Sequence, residues 1–361
     1  MATTLTRETT RTRVKPAVID GDIHNALPSP QALLPFLPAE WRDYHARFGT
    51  FSYSATTYPR INPNAARHDA WPPEGGDPGS SLEFMQEQLL NGWNIEYGIL
   101  NCLVGAGARR LEQSAAVAQA INEWQVAAWL DPEPRLRASL VVPYEDGQLA
   151  AAEIDRAAKD RRFVQALLIA RTAEPLGRRK YWPLYEAAVR NELPVGIHFG
   201  GSGGYGFTGA GRPSYYIEDH AGMSQAFQSQ VVSLVCEGVF ERFPTLKIVL
   251  IEGGFAWLPP LMWRLDAAFR RLRAETPHLK RLPSEYIREH FWITTQPMEE
   301  PTKPAQFHDL LEELGMSDRL IFATDYPHWD FDAPDQAFPV RLDPALERRI
   351  MADNARALYK F

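Results

Sequence analysis

The chain has 361 residues, of which 45% are hydrophobic and 11% aromatic, and this is enough apolar material for a large core. Its formal net charge is −7, and only 7 of its 38 basic residues are lysine. No run of basic residues could follow a phosphate backbone, so we expect no nucleic-acid partner. No stretch of 18 apolar residues occurs, and we therefore expect no membrane span.

The N-terminal residues and the two cysteines indicate the cellular compartment of the protein. Cys102 and Cys236 lie in apolar surroundings, which is typical of reduced, buried thiols. Residues 1–15 are polar, rich in threonine and arginine, and lack the apolar core of a signal peptide. We predict a cytoplasmic protein with a disordered polar tail over 1–15 and a single domain over 16–361.

The first predicted strand begins at Val18 and carries Asp22 and His24 at its end. Side chains alternate between the two faces of a strand, so these two side chains point the same way. A carboxylate oxygen and an imidazole nitrogen aimed at one spot make half of a metal site. The pattern gains weight only if later strand ends complete the site.

Residues 25–80 predict a long irregular insertion after this strand, rich in proline, asparagine, glycine and aromatic residues. A loop of this length inside a compact domain is usually functional or disordered. Tyr53, Tyr58 and Trp71 favour an ordered, lid-like segment that would face an apolar or aromatic substrate. A surface excursion packed on the rim of the domain is the alternative.

Strand-like and helix-like segments alternate from residue 81 onward. The predicted strands that follow the first are 97–103, 137–142, 163–170, 194–198, 246–251, 291–294 and 320–324. The predicted helices begin at Ser81 and continue with 109–130, 149–161, 181–191, 225–240, 255–273, 303–314 and 344–358. This alternation favours an α/β fold, a closed parallel (β/α)8 TIM barrel with a long loop insertion after strand 1. An open doubly wound sheet is the alternative, but no Gly-x-Gly-x-x-Gly follows the first strand.

Polar residues cluster at the predicted strand ends. In parallel barrels the active-site groups lie at the C-terminal ends of the strands. The polar residues found there are Asp22 and His24 on strand 1, Arg171 on strand 4, His198 on strand 5, Glu252 on strand 6 and Asp325 on strand 8. The sequence therefore predicts one shared site at this end of the barrel.

Five motifs together resemble the amidohydrolase-related (amidohydrolase 2) branch of the metal-dependent amidohydrolase superfamily. They are IDGDIH at 19–24, PVGIH at 194–198, FPTLKIVL at 243–250, FATDYPH at 322–328 and NARALY at 354–359. This branch includes aminocarboxymuconate semialdehyde decarboxylase and the resorcylate-type decarboxylases. The resemblance runs from Val18 to about Tyr359 and implies the same barrel.

The resemblance also implies one divalent metal ion bound by a His-x-His motif on strand 1, a histidine on strand 5 and an aspartate on strand 8. The corresponding residues are Asp22, His24, His198 and Asp325, with Asp22 in place of the first histidine. A carboxylate there shifts the ligand set toward oxygen, so Mn²⁺ or Fe²⁺ competes with Zn²⁺. Strand 4 offers no lysine that could bridge a second ion, and we expect a single metal.

Strand 6 departs from the family, which commonly places a proton-transferring histidine where this chain has Glu252. A carboxylate at this position could act as a general base, orient a histidine or bind the metal. It could instead be a structural acid bonded to the backbone of the Gly253–Gly254 turn.

Three further residues complete the predicted catalytic set of Asp325, His220, Glu252, Arg171 and His328. His220 ends a glycine-rich loop and could act as an acid or base above the metal, although the glycines could simply make the loop flexible. His328 could reach the substrate or merely support Asp325. Arg171 could clamp a substrate carboxylate or close an ion pair of the barrel.

Three functions fit these residues. A divalent ion can lower the pKa of a bound water from 15.7 toward about 7, and this favours hydrolysis of an amide, ester, thioester or lactone as the first prediction. The alternative is a non-oxidative decarboxylase of an aromatic or enol carboxylic acid. The third is a metal-free binding protein, although the retained His24, His198 and Asp325 argue against it. We expect a small-molecule substrate and a homodimer, with the tryptophan-containing helix 255–273 as a contact.

Overall fold

The computed structural model describes residues 17–48, 65–104, 110–201 and 208–361. Eight parallel strands follow one another in sequence order, each paired with the next. Their bounds are β1 Val18–Ile23, β2 Ile95–Leu100, β3 Leu136–Val141, β4 Phe163–Ile169, β5 Val195–His198, β6 Ile248–Ile251, β7 Phe291–Thr294 and β8 Leu320–Ile321. The predicted parallel α/β barrel is confirmed.

Backbone hydrogen bonds beyond the short strand β8 close the barrel against β1. His24 N donates to Tyr326 O at 2.7 Å. In the other direction, Asp325 N donates to Asp22 O at 3.1 Å. The closure therefore joins the two segments that carry the predicted strand 1 and strand 8 metal ligands.

Helices connect the strands and surround the barrel. The α-helices are α1 Ala39–Phe48, α2 Leu82–Met85, α3 Leu111–Gln125, α4 Gly147–Ala157, α5 Trp182–Arg190, α6 Tyr216–Ala221, α7 Ser224–Cys236, α8 Val239–Arg242, α9 Leu258–Leu272, α10 Pro283–His290, α11 Gln306–Leu314, α12 Pro344–Arg348 and α13 Asn354–Leu358. Shorter 3₁₀ or π-helical segments are Pro30–Phe36, Gln86–Asn91, Val126–Leu130, Arg179–Tyr181, Arg273–Glu275 and Arg349–Asp353. Within the described ranges, no helix has the length and apolar character that crossing a bilayer would need.

The predicted helix 225–240 is two helices, α7 and α8, because the chain turns at Gly238. This residue has a φ of 76°, a left-handed conformation that glycine adopts without strain. A Cβ atom at position 238 would also lie 2.6 Å from the His278 ring. The turn therefore needs glycine for both its conformation and its close contact.

Helix α10 was not predicted. It begins at Pro283, whose fixed φ suits the first helical position. The Glu285 carboxylate accepts a hydrogen bond from Leu282 N at 2.8 Å, which caps the first turn. A proline followed two residues later by glutamate was the sequence signal for this helix.

The insertion 25–80 is more regular than predicted. Its described part contains the 3₁₀ segment Pro30–Phe36 and the helix α1, so the expectation of a uniformly irregular segment is wrong. Trp71 is half-buried, whereas Tyr53 and Tyr58 lie outside the described residues. The lid-like role of this insertion stays a prediction, and the predicted tail 1–15 also lies outside the described residues.

The core has two parts. The larger lies between the strands and the surrounding helices. The smaller joins strand residues to the C-terminal segment, and its members are Ile19, Ile99, Val164, Leu167, Val249, Ile251, Trp292, Ile321, Ala352, Ala355, Leu358 and Tyr359. The C-terminal segment is thus packed against the strands that carry the predicted site. Cys102 and Cys236 are free thiols, Cys102 buried and Cys236 half-buried.

Asp20 fastens β1 to the segment that follows β8. Its Oδ1 accepts hydrogen bonds from Asp22 N at 3.1 Å and from Thr324 N at 2.9 Å. Its Oδ2 accepts one from the Thr324 hydroxyl. Asp20 is fully buried, so water could not take the place of its carboxylate as the acceptor for these three donors.

We predict that Asp20→Ala lowers the free energy of unfolding by about 3 kcal/mol, because it leaves buried donors without an acceptor. Urea denaturation of the metal-free protein measures this loss. Asp318→Ala is the matched control, since that side chain is 60% exposed and its ion pair with Arg319 contributes at most about 1 kcal/mol. Equal losses in the two variants would contradict the fastening role.

Candidate metal centre

Four of the predicted residues converge at the C-terminal end of the barrel. Asp22, His24, His198 and Glu252 each offer one ligand atom, and these atoms lie within 4.8 Å of one another. All four side chains are buried. His24 Nε2 lies 3.5 Å from Asp22 Oδ1, and His198 Nε2 lies 3.4 Å from Asp22 Oδ2. The three strands β1, β5 and β6 therefore deliver their terminal polar groups to one point.

A second set of ligand atoms overlaps the first and contains His24, Glu252, Asp325 and His328. The Nδ1 atom of His24 bonds to the Asn101 carbonyl at 2.9 Å, so only its Nε2 atom faces either set. One imidazole nitrogen offers one lone pair and hence binds one ion. The two sets accordingly surround one position, which agrees with the expectation of a single metal.

Among the described residues, three buried ligand atoms have no hydrogen-bond partner: Asp22 Oδ2, His198 Nε2 and Asp325 Oδ2. Buried polar atoms are nearly always paired, so each such atom calls for an explanation. A divalent cation accepts electron pairs from all three at once. The mixture of carboxylate oxygens and imidazole nitrogens suits Mn²⁺, Fe²⁺ or Zn²⁺, and the residues present fit the predicted ion.

The electrostatics of the centre point to the same need for positive charge. Burial lowers the pKa of His24, but the charge of Asp22 and the hydrogen bond to Asp325 outweigh it and raise this pKa to about 9. Burial raises the pKa of Asp325, yet His328 and His24 together hold it below its usual range. Burial, with the charges of Asp325 and Asp22, raises the pKa of Glu252 well above its ordinary value.

The backbone turns sharply at Glu252, which directly follows β6, and at Asp325, which lies four residues beyond β8. Glu252 has a φ of 56° and Asp325 a φ of 59°. This left-handed conformation is unfavourable for residues other than glycine and is found preferentially at functional sites. Hydrogen bonds hold both turns: Glu252 N donates to Thr294 Oγ1 at 3.0 Å, and Asp325 N donates to Asp22 O at 3.1 Å.

The structural alternative for Glu252 does not fit its surroundings. Glu252 Oε2 lies 3.1 Å from His198 Nε2, inside the cluster. The turn after β6 is instead bonded by Glu299, whose Oε2 accepts from Phe255 N and Ala256 N at 2.9 Å each. The acid that supports the turn is therefore Glu299, and Glu252 is available to the site.

Arg171 makes the ion pair that was one of its two predicted roles. Its guanidinium bonds to the Asp219 carboxylate, with Nη2 2.5 Å from Oδ1, and both side chains are at least nine-tenths buried. The guanidinium also lies 4.7 Å from the centre of the Phe199 ring.

The two remaining predicted histidines differ in position. His328 Nδ1 donates to Asp325 Oδ1 at 2.8 Å, and its ring stacks on His24 at 4.3 Å. His220 lies on the helix α6 rather than at the end of a loop, and it belongs to neither set of ligand atoms. Its Nε2 bonds to Asp330 Oδ2 at 3.1 Å. His328 is thus part of the cluster, whereas His220 stands apart from it with a carboxylate partner.

Three polar residues that the sequence patterns did not single out, Asn101, Ser139 and Gln165, are fully buried behind the cluster. Asn101 Nδ2 donates to Asp22 Oδ1 at 2.8 Å, and Ser139 and Gln165 bond to the Asn101 side chain. The available signal was Gln165, the single polar residue of the apolar strand β4, and, more weakly, Ser139, which shares β3 with Arg137.

Known proteins resemble this chain along most of its length. One curated relative, a gamma-resorcylate decarboxylase from Polaromonas sp. (strain JS666), is 26% identical over 287 residues, which is 73% of this chain and 84% of the relative. The structure of amidohydrolase map2389c from Mycobacterium avium subsp. paratuberculosis K-10 has a TM-score of 0.71 at 22% identity and covers 96% of this chain and 99% of its own.

A second similar structure is that of a dihydroxybenzoic acid decarboxylase from Polaromonas sp. JS666 with bound manganese and the inhibitor 2-nitroresorcinol. It has a TM-score of 0.63 at 20% identity and covers 95% of this chain and 96% of its own. At these identities the structural likeness supports the fold alone. The family model described as amidohydrolase matches residues 19–361. Because this match spans nearly the whole chain, the protein belongs to the amidohydrolase family.

Proposed function

We propose that the protein is a metal-dependent, non-oxidative decarboxylase of an aromatic or enol carboxylic acid with a neighbouring hydroxyl or oxo group. The observation that carries this choice is the likeness to a gamma-resorcylate decarboxylase over 84% of that relative's length. It places decarboxylation ahead of hydrolysis, the reverse of the order predicted from the sequence.

The proposed metal ligands are Asp22, His24, His198 and Asp325. The buried atoms Asp22 Oδ2, His198 Nε2 and Asp325 Oδ2 support this set, since the described part of the chain offers them no hydrogen-bond partner. When bound, Mn²⁺, Fe²⁺ or Zn²⁺ would orient the substrate's carboxylate and adjacent oxygen and neutralise part of their negative charge.

Glu252 is the proposed proton donor. Decarboxylation requires a proton on the carbon that bears the carboxylate; the bond to the carboxylate then breaks, its electron pair returns to the ring and CO₂ leaves. The Glu252 carboxyl lies at the end of β6, buried beside His198, where a proton can pass to substrate without competition from bulk water. The resulting carboxylate regains its proton from solvent after CO₂ and the product leave.

His220, Tyr216 and Trp329 are proposed to contact the substrate's aromatic body. The His220 ring lies 5.5 Å from Tyr216 and 5.2 Å from Trp329, and Asp330 holds its Nε2. Trp329 directly follows His328 in the sequence, donates from its Nε1 to Tyr216 OH at 3.2 Å and is 43% exposed. This aromatic group therefore adjoins the segment that carries His328 and remains accessible from solvent.

The proposed homodimer keeps α9 as its contact, where Trp263 is 54% exposed.

Hydrolysis remains the second candidate function, because the carboxylate of Asp325 or Glu252 could accept a proton from an attacking water. The metal-free binding protein is disfavoured by the unpartnered ligand atoms.

We predict that the purified protein contains one divalent Mn, Fe or Zn per chain and that Asp22→Ala and His198→Ala lose it, because each removes a ligand. Elemental analysis after dialysis measures this. His308→Ala, at an exposed position on α11, is the control and keeps the metal. Absence of metal from the parent, even after reconstitution with Mn²⁺, would overturn the proposed centre.

We predict that the Mn²⁺-loaded protein releases CO₂ from a dihydroxybenzoate with a hydroxyl next to the carboxylate. Glu252→Gln should lower kcat about 100- to 10,000-fold while retaining metal, since it removes the proton donor. Glu300→Gln, at an exposed position, is the control. Hydrolysis of an aryl ester or lactone without any CO₂ release from hydroxybenzoates would support the second function instead.

We predict that Arg171→Gln lowers the free energy of unfolding by about 3 kcal/mol, because it leaves the Asp219 carboxylate buried without this cation. Chemical denaturation measures the loss. Arg178→Gln is the matched control and loses at most about 1 kcal/mol, since Arg178 is 57% exposed and pairs loosely with Glu237. Unchanged stability combined with a raised KM would show that Arg171 clamps the substrate rather than the barrel.

A further inference from the structure

A chain of hydrogen bonds crosses the barrel from the C-terminal segment to Asp22. Tyr359 OH donates to Gln165 Oε1 at 2.8 Å, and Gln165 Nε2 donates to Ser139 Oγ at 2.9 Å. Ser139 Oγ donates to Asn101 Oδ1, and Asn101 Nδ2 donates to Asp22 Oδ1 at 2.8 Å. All five side chains are buried, so water does not compete for these bonds.

All the hydrogen bonds in this chain run in one direction, from donor to acceptor. The Asp22 carboxylate and the Gly21 carbonyl only accept, so the Asn101 amide must turn its nitrogen toward them and its oxygen away. That oxygen then needs donors, which are the Ser139 hydroxyl and the Gln165 amide nitrogen. Gln165 consequently turns its own oxygen outward, and only a donor can satisfy it.

Tyr359 is that donor. Burial and the negative charge of Asp22 raise the pKa of Tyr359 above its ordinary value, so the phenol keeps its proton. The space around Gln165 depends on Gly196 in β5, where a Cβ atom would lie 3.1 Å from Gln165 Cδ. Tyr359 itself belongs to the smaller core cluster, which keeps its hydroxyl in place.

Asn101 acts on two of the proposed ligands at once. Its side chain occupies Asp22 Oδ1, which leaves Oδ2 as the oxygen without a partner. Its backbone carbonyl accepts the hydrogen bond from His24 Nδ1 at 2.9 Å. A histidine protonated at Nδ1 presents the lone pair of Nε2 to a metal, so this contact also selects the tautomer that can bind.

We propose that Asn101, Ser139, Gln165 and Tyr359 form a positioning chain that orients Asp22 toward the divalent ion, with Tyr359 as its distal end. The inference rests on the metal centre of the proposed function but is independent of the reaction. Partners behind metal ligands typically change metal affinity about 10- to 100-fold when they are removed, and a contact three hydrogen bonds further away should have a smaller effect of the same sign.

The test measures the affinity of each purified protein for Mn²⁺ alone by competition with a fluorescent chelator. Asn101→Leu removes the bond to Asp22 and should weaken Mn²⁺ binding about 10- to 100-fold. Tyr359→Phe removes only the terminal hydroxyl and should weaken binding by a smaller, resolved factor. Thermal unfolding of the metal-free and Mn²⁺-loaded forms gives a second readout, because weaker binding reduces the stabilisation by the metal.

Tyr185→Phe is the matched control. It also removes a fully buried hydroxyl, which donates to Leu176 O at 2.7 Å, but it does so outside the chain. Its Mn²⁺ affinity should equal that of the parent even though its stability falls. Equal Mn²⁺ affinities for Tyr359→Phe and Tyr185→Phe would overturn the positioning role of Tyr359, whether or not Asn101→Leu folds.

The same experiment separates this inference from the proposed function. If Mn²⁺ affinity falls as expected but no hydroxybenzoate releases CO₂, the positioning chain stands and decarboxylation does not. If CO₂ is released but Tyr359→Phe binds Mn²⁺ like the parent, the function stands and the chain does not. A parent protein that binds no Mn²⁺ would overturn both.

Discussion

Buried negative charge is the constraint on which the active end of this barrel depends. Asp22, Glu252 and Asp325 bring three carboxyl groups into one water-poor space. Burying an ionised carboxylate is strongly unfavourable unless positive charge accompanies it. The His328 imidazole offsets part of that charge through its bond to Asp325, and a divalent ion, held in part by the Nε2 lone pair of His24, would supply the rest. The same requirement explains why the ligand atoms face one another rather than solvent.

The barrel brings these charges together by geometry that is local to each strand end. β1 and the segment after β8 exchange backbone hydrogen bonds, and Asp20 fastens them further. Left-handed turns at Glu252, directly after β6, and at Asp325, in the segment after β8, change the direction of the backbone at the two residues whose carboxylates enter the cluster. The energetic cost of the two turns is small beside that of the buried charges, and it is borne by the surrounding hydrogen bonds.

The sequence predicted the parts of this structure that depend on patterns along the chain. Apolar runs ending in polar residues located the strands, and barrel geometry then implied that those polar residues meet. Contacts between distant residues could not be read in this way. The Asp219 partner of Arg171 lies 48 residues away, and Glu299, rather than Glu252, bonds to the turn after β6. Helix α6 was missed because it has only six residues and directly follows a glycine-rich stretch of sequence.

The polar residues inside β3 and β4 illustrate the same limit. In the sequence, Gln165 is an isolated polar residue in an apolar strand and Ser139 lies two positions after Arg137, and the role of both is visible only when Asn101 and Tyr359 are placed beside them. A sequence pattern can mark such residues as unusual. It cannot supply the direction of the hydrogen bonds between them.

The two hydrogen bonds of Asn101 respond differently to a substitution at this position. The bond to Asp22 uses the side chain and disappears with almost any substitution at this position. The bond to His24 uses the main-chain carbonyl, which every amino acid retains. A single substitution at position 101 can therefore change how the Asp22 carboxylate is oriented. The hydrogen bond that orients the His24 imidazole is kept. In an engineering setting, position 101 offers a way to vary one ligand of the centre without disturbing its neighbour.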